Sequence, residues 1–188
     1  GWKNYFDKFQ NPKNGLFYDT NIINEDYDKI DWWGARHLSA LILMAYDYLG
    51  FMPKYNFVFG DDLINSVNKR LNTLDWGSNI SHQNDIDNQL MNILVLMIYE
   101  RDFRQNYVYN TIIKDILEFL ISKKNGFDMW GKYDINNKFQ LSRMIQFYYH
   151  IFPILLHEKI NINFKQVGEL VLKTQNFVGG YGELYNSS

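Results

Sequence analysis

The stretch Asp31-Trp32-Trp33-Gly34-Ala35-Arg36-His37 runs straight into Leu38–Leu49. A polar, aromatic mouth opens a helix that is apolar nearly all round. The event recurs twice: His82–Gln89 leads into Leu90–Tyr99, and Trp130–Arg143 leads into Met144–Leu156. A helix apolar on every side is surrounded by protein, whereas a helix with one apolar stripe sits on a surface.

Striped segments separate the three buried ones. Trp2–Gln10 sets Trp2, Tyr5, Phe6 and Phe9 at helical spacing, and Asn11-Pro12-Lys13-Asn14-Gly15 breaks it. The helix Trp33–Leu49 stops at Gly50. From Asp61 or Asp62, either a suitable cap, a second helix carries Leu63, Val67, Leu71 and Leu74 as its single stripe. Asn84–Asp102 reads as the third helix, with Asp85 and Asp87 near its positive end. Tyr107–Lys123 is the fourth and Lys138–Glu158 the fifth. Pro153 is expected to kink the fifth, because it offers no N–H to the carbonyl of Tyr149. Phe164–Gln175 is the sixth, and a glycine-rich tail follows.

Surface and buried helices thus alternate along the chain. Short loops make sequential helices antiparallel. Alternation with a repeat of about fifty residues predicts an all-α fold built of helix pairs. The expected form is a partial α/α toroid, with buried helices lining the inside and striped helices wrapping the outside. The last striped helix hands over to no buried one. The expectation is one domain over residues 1–188, an excerpt of a longer chain or an arc with an exposed C-terminal seam that the remainder of its own chain would cover.

Composition narrows the partners. The chain has 188 residues, a formal net charge of -2, 18% aromatic residues and no cysteine. No Lys- and Arg-rich stripe is present, so nucleic acid is not an expected partner. The longest apolar runs fall short of the roughly 20 residues that a bilayer requires, so no transmembrane segment is expected. Without cysteine there are no disulfides, zinc thiolates or thiol nucleophiles. That fits a reducing, cytoplasmic setting.

The loop ends carry a motif. Lys173-Thr174-Gln175-Asn176-Phe177-Val178-Gly179-Gly180-Tyr181-Gly182 resembles the Gln-then-Gly-aromatic repeat of squalene and oxidosqualene cyclases. Gln10-Asn11-Pro12-Lys13-Asn14-Gly15-Leu16-Phe17 is a second copy. Arg70–Gly77 and Lys123–Phe127 are degenerate copies without the glutamine. The resemblance implies the α/α toroid shared by terpenoid cyclases and protein prenyltransferases. In that family the motif is structural: its glutamine amide ties one outer helix to the next. Gln-Asn-x-x-Gly-Gly also occurs in unrelated α/α barrels that bind glycans.

If the buried helices begin at one mouth, their polar groups converge there. The expected ligand-binding residues are Asp31, Trp32, Trp33, Arg36, Trp76, His82, Trp130, Tyr133 and Arg143. Convergent polar groups over an aromatic cavity describe a ligand site. Asp85, Asp87 and His37 are the candidate catalytic residues. Asp85-Ile86-Asp87-Asn88 is similar to the D-x-D-D acid motif of cyclases that protonate an alkene or epoxide, and Asp87 matches the proton donor. Asn88 replaces the final Asp. An acid strong enough for that task needs a neighbour that stabilises its conjugate base, which an amide does only in part. The structural alternative is an acidic first turn that satisfies helix amides.

For His37 the choice lies between general acid–base work beside Asp31 or Asp85 and a satisfied polar cluster pinning the mouth. His150 and His157 read as core or surface residues. No metal is expected, because His37, His82 and Asp85 lack ligand spacing, and no cofactor is called for. Three functions follow. The first is a cyclase- or prenyltransferase-like pocket for an apolar or isoprenoid-linked small molecule. The second is a carbohydrate-active α/α barrel for a glycan ligand. The third is a non-catalytic helical scaffold.

Overall fold

The computed structural model describes residues 1–24, 26–27, 34–78, 80, 86–176 and 181. Among them the fold is all-α, with no strands beyond two isolated bridges. The helices are α1 (Trp2–Phe6), α2 (Ala35–Tyr48), α3 (Asp61–Thr73), α4 (Ile86–Phe103), α5 (Val108–Ser122), α6 (Lys138–His157) and α7 (Phe164–Lys173), with a 3-10 turn at Asp7–Phe9. No helix among the described residues is long and apolar enough to cross a membrane. The chain forms two compact units. One is Gly1–Leu71 with Asn88–Ile116; the other is Asn72–Asp87 with Leu117–Ser188.

Helices α2, α4 and α6 begin at Ala35, Ile86 and Lys138, a spacing of about fifty residues each time. Their ends follow local chemistry. Beyond α2, Gly50 takes a positive φ of 67°, Gly50 N–H donates to Asp47 O, and Phe51 N–H donates to Tyr46 O. That is a Schellman closure, and it satisfies carbonyls the helix leaves open. Helix α6 starts where Asn137 accepts from the backbone N–H groups of Phe139 and Gln140. It continues through Pro153 to His157.

In the first unit, α3 buries Val67 and Leu71 from its stripe. Helix α4 is the most enclosed element, with Ile86–Leu90 and Leu96–Glu100 buried throughout. It is not purely apolar inside: Gln89, Asn92 and Glu100 are all buried. Helix α2 departs from the sequence expectation. It buries Ala35, Ser39, Ala40, Leu43 and Tyr46, yet it exposes Leu41, Met44 and Tyr48. Apolar residues there lie on all sides, but only one side is covered. In the second unit α6 behaves alike, burying Met144, Phe147 and Ile151 while exposing Tyr149 and Leu156.

The Gln10 loop is tightly held within the first unit. Gln10 is buried, and its Nε2 donates to Gly15 O at 2.7 Å and to Tyr55 O at 2.8 Å. Tyr55 N–H returns a bond to Gln10 Oε1 at 2.9 Å. Thus the segment after α1 is tied to the connector leading into α3. Gly15 sits at φ 75°, and a Cβ there would fall 2.1 Å from Asn56 O, so only glycine fits. Gln10 pairs with Phe17 in one isolated bridge, and Gln175 pairs with Tyr181 in the other.

The second unit is organised by rings. Trp76 meets Phe119 and Phe147 edge-on at 5.9 and 6.3 Å. Trp130 lies 5.4 Å from Phe147 and 5.8 Å from Tyr148, and Phe152 continues the series to Phe164 of α7. Ring pairs at these separations add to plain area burial.

Candidate functional site

Two polar clusters contain predicted site residues, one in each unit. In the first unit, α2 opens after Gly34, whose extended backbone lets the next residue enter the helix. Arg36 is buried in the first turn. His37 Nδ1 lies 3.3 Å from Asn92 Oδ1, on the second turn of α4. An amide oxygen only accepts, so this contact places the proton on Nδ1. One turn earlier, Gln89 Oε1 accepts from Arg70 Nη1 at 2.5 Å. Neutral amides on α4 thus meet the cationic and imidazole groups of α2 and α3. In both contacts the partner on α4 is a neutral amide, which supplies a hydrogen bond.

In the second unit, Asp87 Oδ2 lies 2.8 Å from His150 Nδ1. Both side chains are buried, Asp87 at 2% exposure. Helix α4 supplies Asp87 from its first turn and α6 supplies His150 from its interior. A carboxyl oxygen and an imidazole nitrogen at this distance share a hydrogen bond, and low local dielectric strengthens it. Such a pair can hold, give up or take back a proton. Sequence reasoning chose Asp87 but took His150 for an inert core or surface residue. The partners stand 63 residues apart, and no local pattern links them.

The remaining predicted residues are placed as follows. Trp76 is half-buried in the ring series. Trp130 is 0% exposed, with Nε1 donating to Leu120 O at 2.7 Å and its ring packed on Phe147 and Tyr148. Its faces are therefore occupied by the protein's own rings, which makes it a packing residue here. The half-buried Tyr133 lies against Gly131. Arg143 sits over the Phe139 ring at 5.1 Å and donates to Gln146. Asp31, Trp32, Trp33, His82 and Asp85 lie outside the described residues.

Two further features escaped the sequence reading. Glu100 is fully buried in the first unit and accepts Phe57 N–H through Oε1 at 2.7 Å. Burial raises its carboxyl above the ordinary value, against the opposing pull of Phe57 N–H and the nearby Arg104. In the second unit, Asn125, Gly126, Asp128, Asn161, Asn163 and Gln166 line an open polar groove of about 330 Å³. Gln166 Nε2 bonds Gly126 O, Asn163 caps α7, and Lys124 pairs with Asp128 at 2.9 Å.

No protein-family model, no curated protein and no solved structure matches the chain. The case for a function therefore rests on the geometry of these clusters.

Proposed function

We propose that this chain is a terpenoid-cyclase-like or prenyltransferase-like α/α-toroid domain acting on an apolar, isoprenoid-linked ligand, with Asp87 as general acid. The 2.8 Å contact between Asp87 Oδ2 and His150 Nδ1 carries the proposal. With a proton on Asp87 Oδ1, Oδ2 accepts from His150 Nδ1–H. Transfer of the Oδ1 proton to an alkene carbon forms a C–H bond from the π pair and leaves a carbocation. The carboxylate left behind keeps the imidazole hydrogen bond, so its charge is stabilised where it appears. His150 thereby does what Asn88 in the Asp85-Ile86-Asp87-Asn88 motif does only in part. The repeat of α2, α4 and α6 and the Gln10 tie support the toroid part of the reading.

A second reading, a carbohydrate-active α/α domain, is favoured by the groove at Asn125, Asn161 and Gln166. Its amide lining suits hydroxyl groups better than hydrocarbon. A thermal-shift comparison of prenyl diphosphates with oligosaccharides separates the two. Saturation at a hundredfold over Kd raises stability by about 2.7 kcal/mol. The cyclase-like reading expects the shift with the isoprenoids; a shift with oligosaccharides alone replaces it by the second.

A further inference from the structure

Within the first unit, the connector 51–60 lies against the end of α4. Its residues alternate: Pro53, Phe57 and Phe59 are buried, while Lys54, Asn56 and Val58 are exposed. A period of two marks an extended chain with one covered side. The connector belongs to no helix or strand, so individual contacts hold it. Toward α4, Arg104 Nη2 donates to Pro53 O, Phe57 N–H donates to Glu100 Oε1 at 2.7 Å, and the Phe57 ring meets Tyr99 edge-on at 5.9 Å. Toward α5, the Phe59 ring meets Tyr109 edge-on at 5.7 Å. Gln10 and Asn14 hold the connector from the other loop, through Tyr55 and Val58.

The polar part of this contact is half satisfied. Glu100 is 0% exposed, and only its Oε1 carries a bond; Oε2 makes no hydrogen bond among the described residues. The same holds for the Tyr99 hydroxyl and Arg104 Nε. Arg104, Tyr99 and Tyr109 are the titratable and charged groups that sense the Glu100 charge. The connector's one charged residue, Lys54, is exposed and lies over the Tyr55 ring. A neutral carboxyl tolerates such a place far better than an ionised one, whose second oxygen would stand unsolvated. Burial accordingly holds the Glu100 carboxyl above its ordinary value, with Phe57 N–H and Arg104 opposing. Water reaches Oε2 only if a covering element moves. Helices α4 and α5 are continuous, whereas the connector rests on single contacts and opens more readily.

We propose that the 51–60 connector is a pH-operated strap, closed over neutral Glu100 and lifted from α4 when Glu100 gives its proton to solvent. In the open form both Glu100 oxygens are hydrated and Phe57 N–H passes to water. The closed strap binds the Glu100 proton more tightly than the open one. Opening therefore becomes easier as pH rises from the ordinary Glu value to the raised one, and levels off above it. The device uses neither Asp87 nor a ligand, so it stands apart from the proposed chemistry.

Native-state amide hydrogen exchange of the whole chain across a pH series tests it, with each rate divided by the intrinsic rate at that pH. Phe57 N–H reports the strap, and Leu94 N–H, in the middle of α4, reports global unfolding. Phe57 is expected to be less protected than Leu94 at every pH. Its protection is expected to fall by up to about tenfold per pH unit above the ordinary Glu value and then to level off. In E100Q, which keeps an acceptor for Phe57 N–H and cannot ionise, the protection of Phe57 is expected to stay flat with pH. Equal protection of Phe57 and Leu94, a wild-type Phe57 protection that does not change with pH, or the same fall in E100Q overturns the proposal. The first two outcomes are read on the wild-type chain alone, so the test stands even if E100Q does not fold.

Discussion

Gln10 and Tyr55 grip each other through both ends of one amide: Gln10 Nε2 donates to Tyr55 O, and Tyr55 N–H donates to Gln10 Oε1. A third bond runs to Gly15 O. Each such bond contributes about 1 kcal/mol, and a buried group left unpaired costs more. Gln10→Ala is expected to lower stability by about 3 kcal/mol in urea unfolding. Gln10→Glu should lose at least as much near neutral pH, because a carboxylate would face the carbonyls of Gly15 and Tyr55. An unchanged urea midpoint for either variant would show that the loop is held by something else.

Glu100 gives a pH-dependent prediction. Its folded-state pKa is raised, chiefly by burial. The native state therefore binds this proton more tightly than the unfolded chain does. The group's contribution to stability is complete below the ordinary Glu value and is lost as pH rises through the raised one. Glu100→Gln keeps an acceptor for Phe57 N–H and removes the charge. It should match or exceed wild-type stability at neutral pH and flatten the acid-side slope. Glu100→Ala leaves Phe57 N–H without its acceptor and should cost about 1–3 kcal/mol. Urea midpoints at about pH 5 and about pH 8 read both effects. Equal losses for Gln and Ala would refute the acceptor role.

Tyr148 acts at the alkaline end. Burial, with a smaller contribution from the Asp128 charge, pushes its phenol up to about 12. Its stabilising contribution is full below the ordinary value of about 10 and is lost as pH rises through the raised one. The hydroxyl is buried and makes no hydrogen bond among the described residues. Tyr148→Phe should therefore be neutral or slightly stabilising at pH 7 and should shift the alkaline unfolding midpoint upward. A clear loss of stability at neutral pH would mean that the hydroxyl has a partner.

Trp130 links α5 to α6. Trp130→Ala should cost about 3–5 kcal/mol by leaving a large cavity. Trp130→Phe should lose less, mainly the bond to Leu120 O. A thermal midpoint unmoved by the alanine change would contradict a packing role.

Helix positions were legible in the sequence because apolar spacing is a local signal. The stripe Val67–Leu71 placed α3, and the run before Tyr99 placed the enclosed α4. The faces of α2 and α6 were less legible. Leu41 and Leu43 read alike, yet one is exposed and the other buried, because only packing decides which side is covered. The site was half legible. Asp87 stood out through its neighbours Asp85 and Asn88, whereas His150 lies inside an aromatic run and gains meaning only when α6 meets α4. Glu100 follows an apolar run and carries no local signal of burial; only the Phe57 N–H of the 51–60 connector makes it a buried acceptor. The groove at Asn125 and Asn163 joins two loops that no spacing rule connects.

The most direct test of the central claim is turnover of acyclic isoprenoid alkenes and epoxides in heavy water, followed by mass spectrometry. If Asp87 is the acid and His150 holds its conjugate base, the wild-type chain delivers one deuteron to carbon in each product. Asp87→Asn should lower the rate by about 10²–10⁴-fold, and His150→Gln should lower it less while shifting its pH profile. Product free of carbon-bound deuterium, no turnover by the wild-type chain, or an Asp87→Asn variant as fast as wild type would contradict the account.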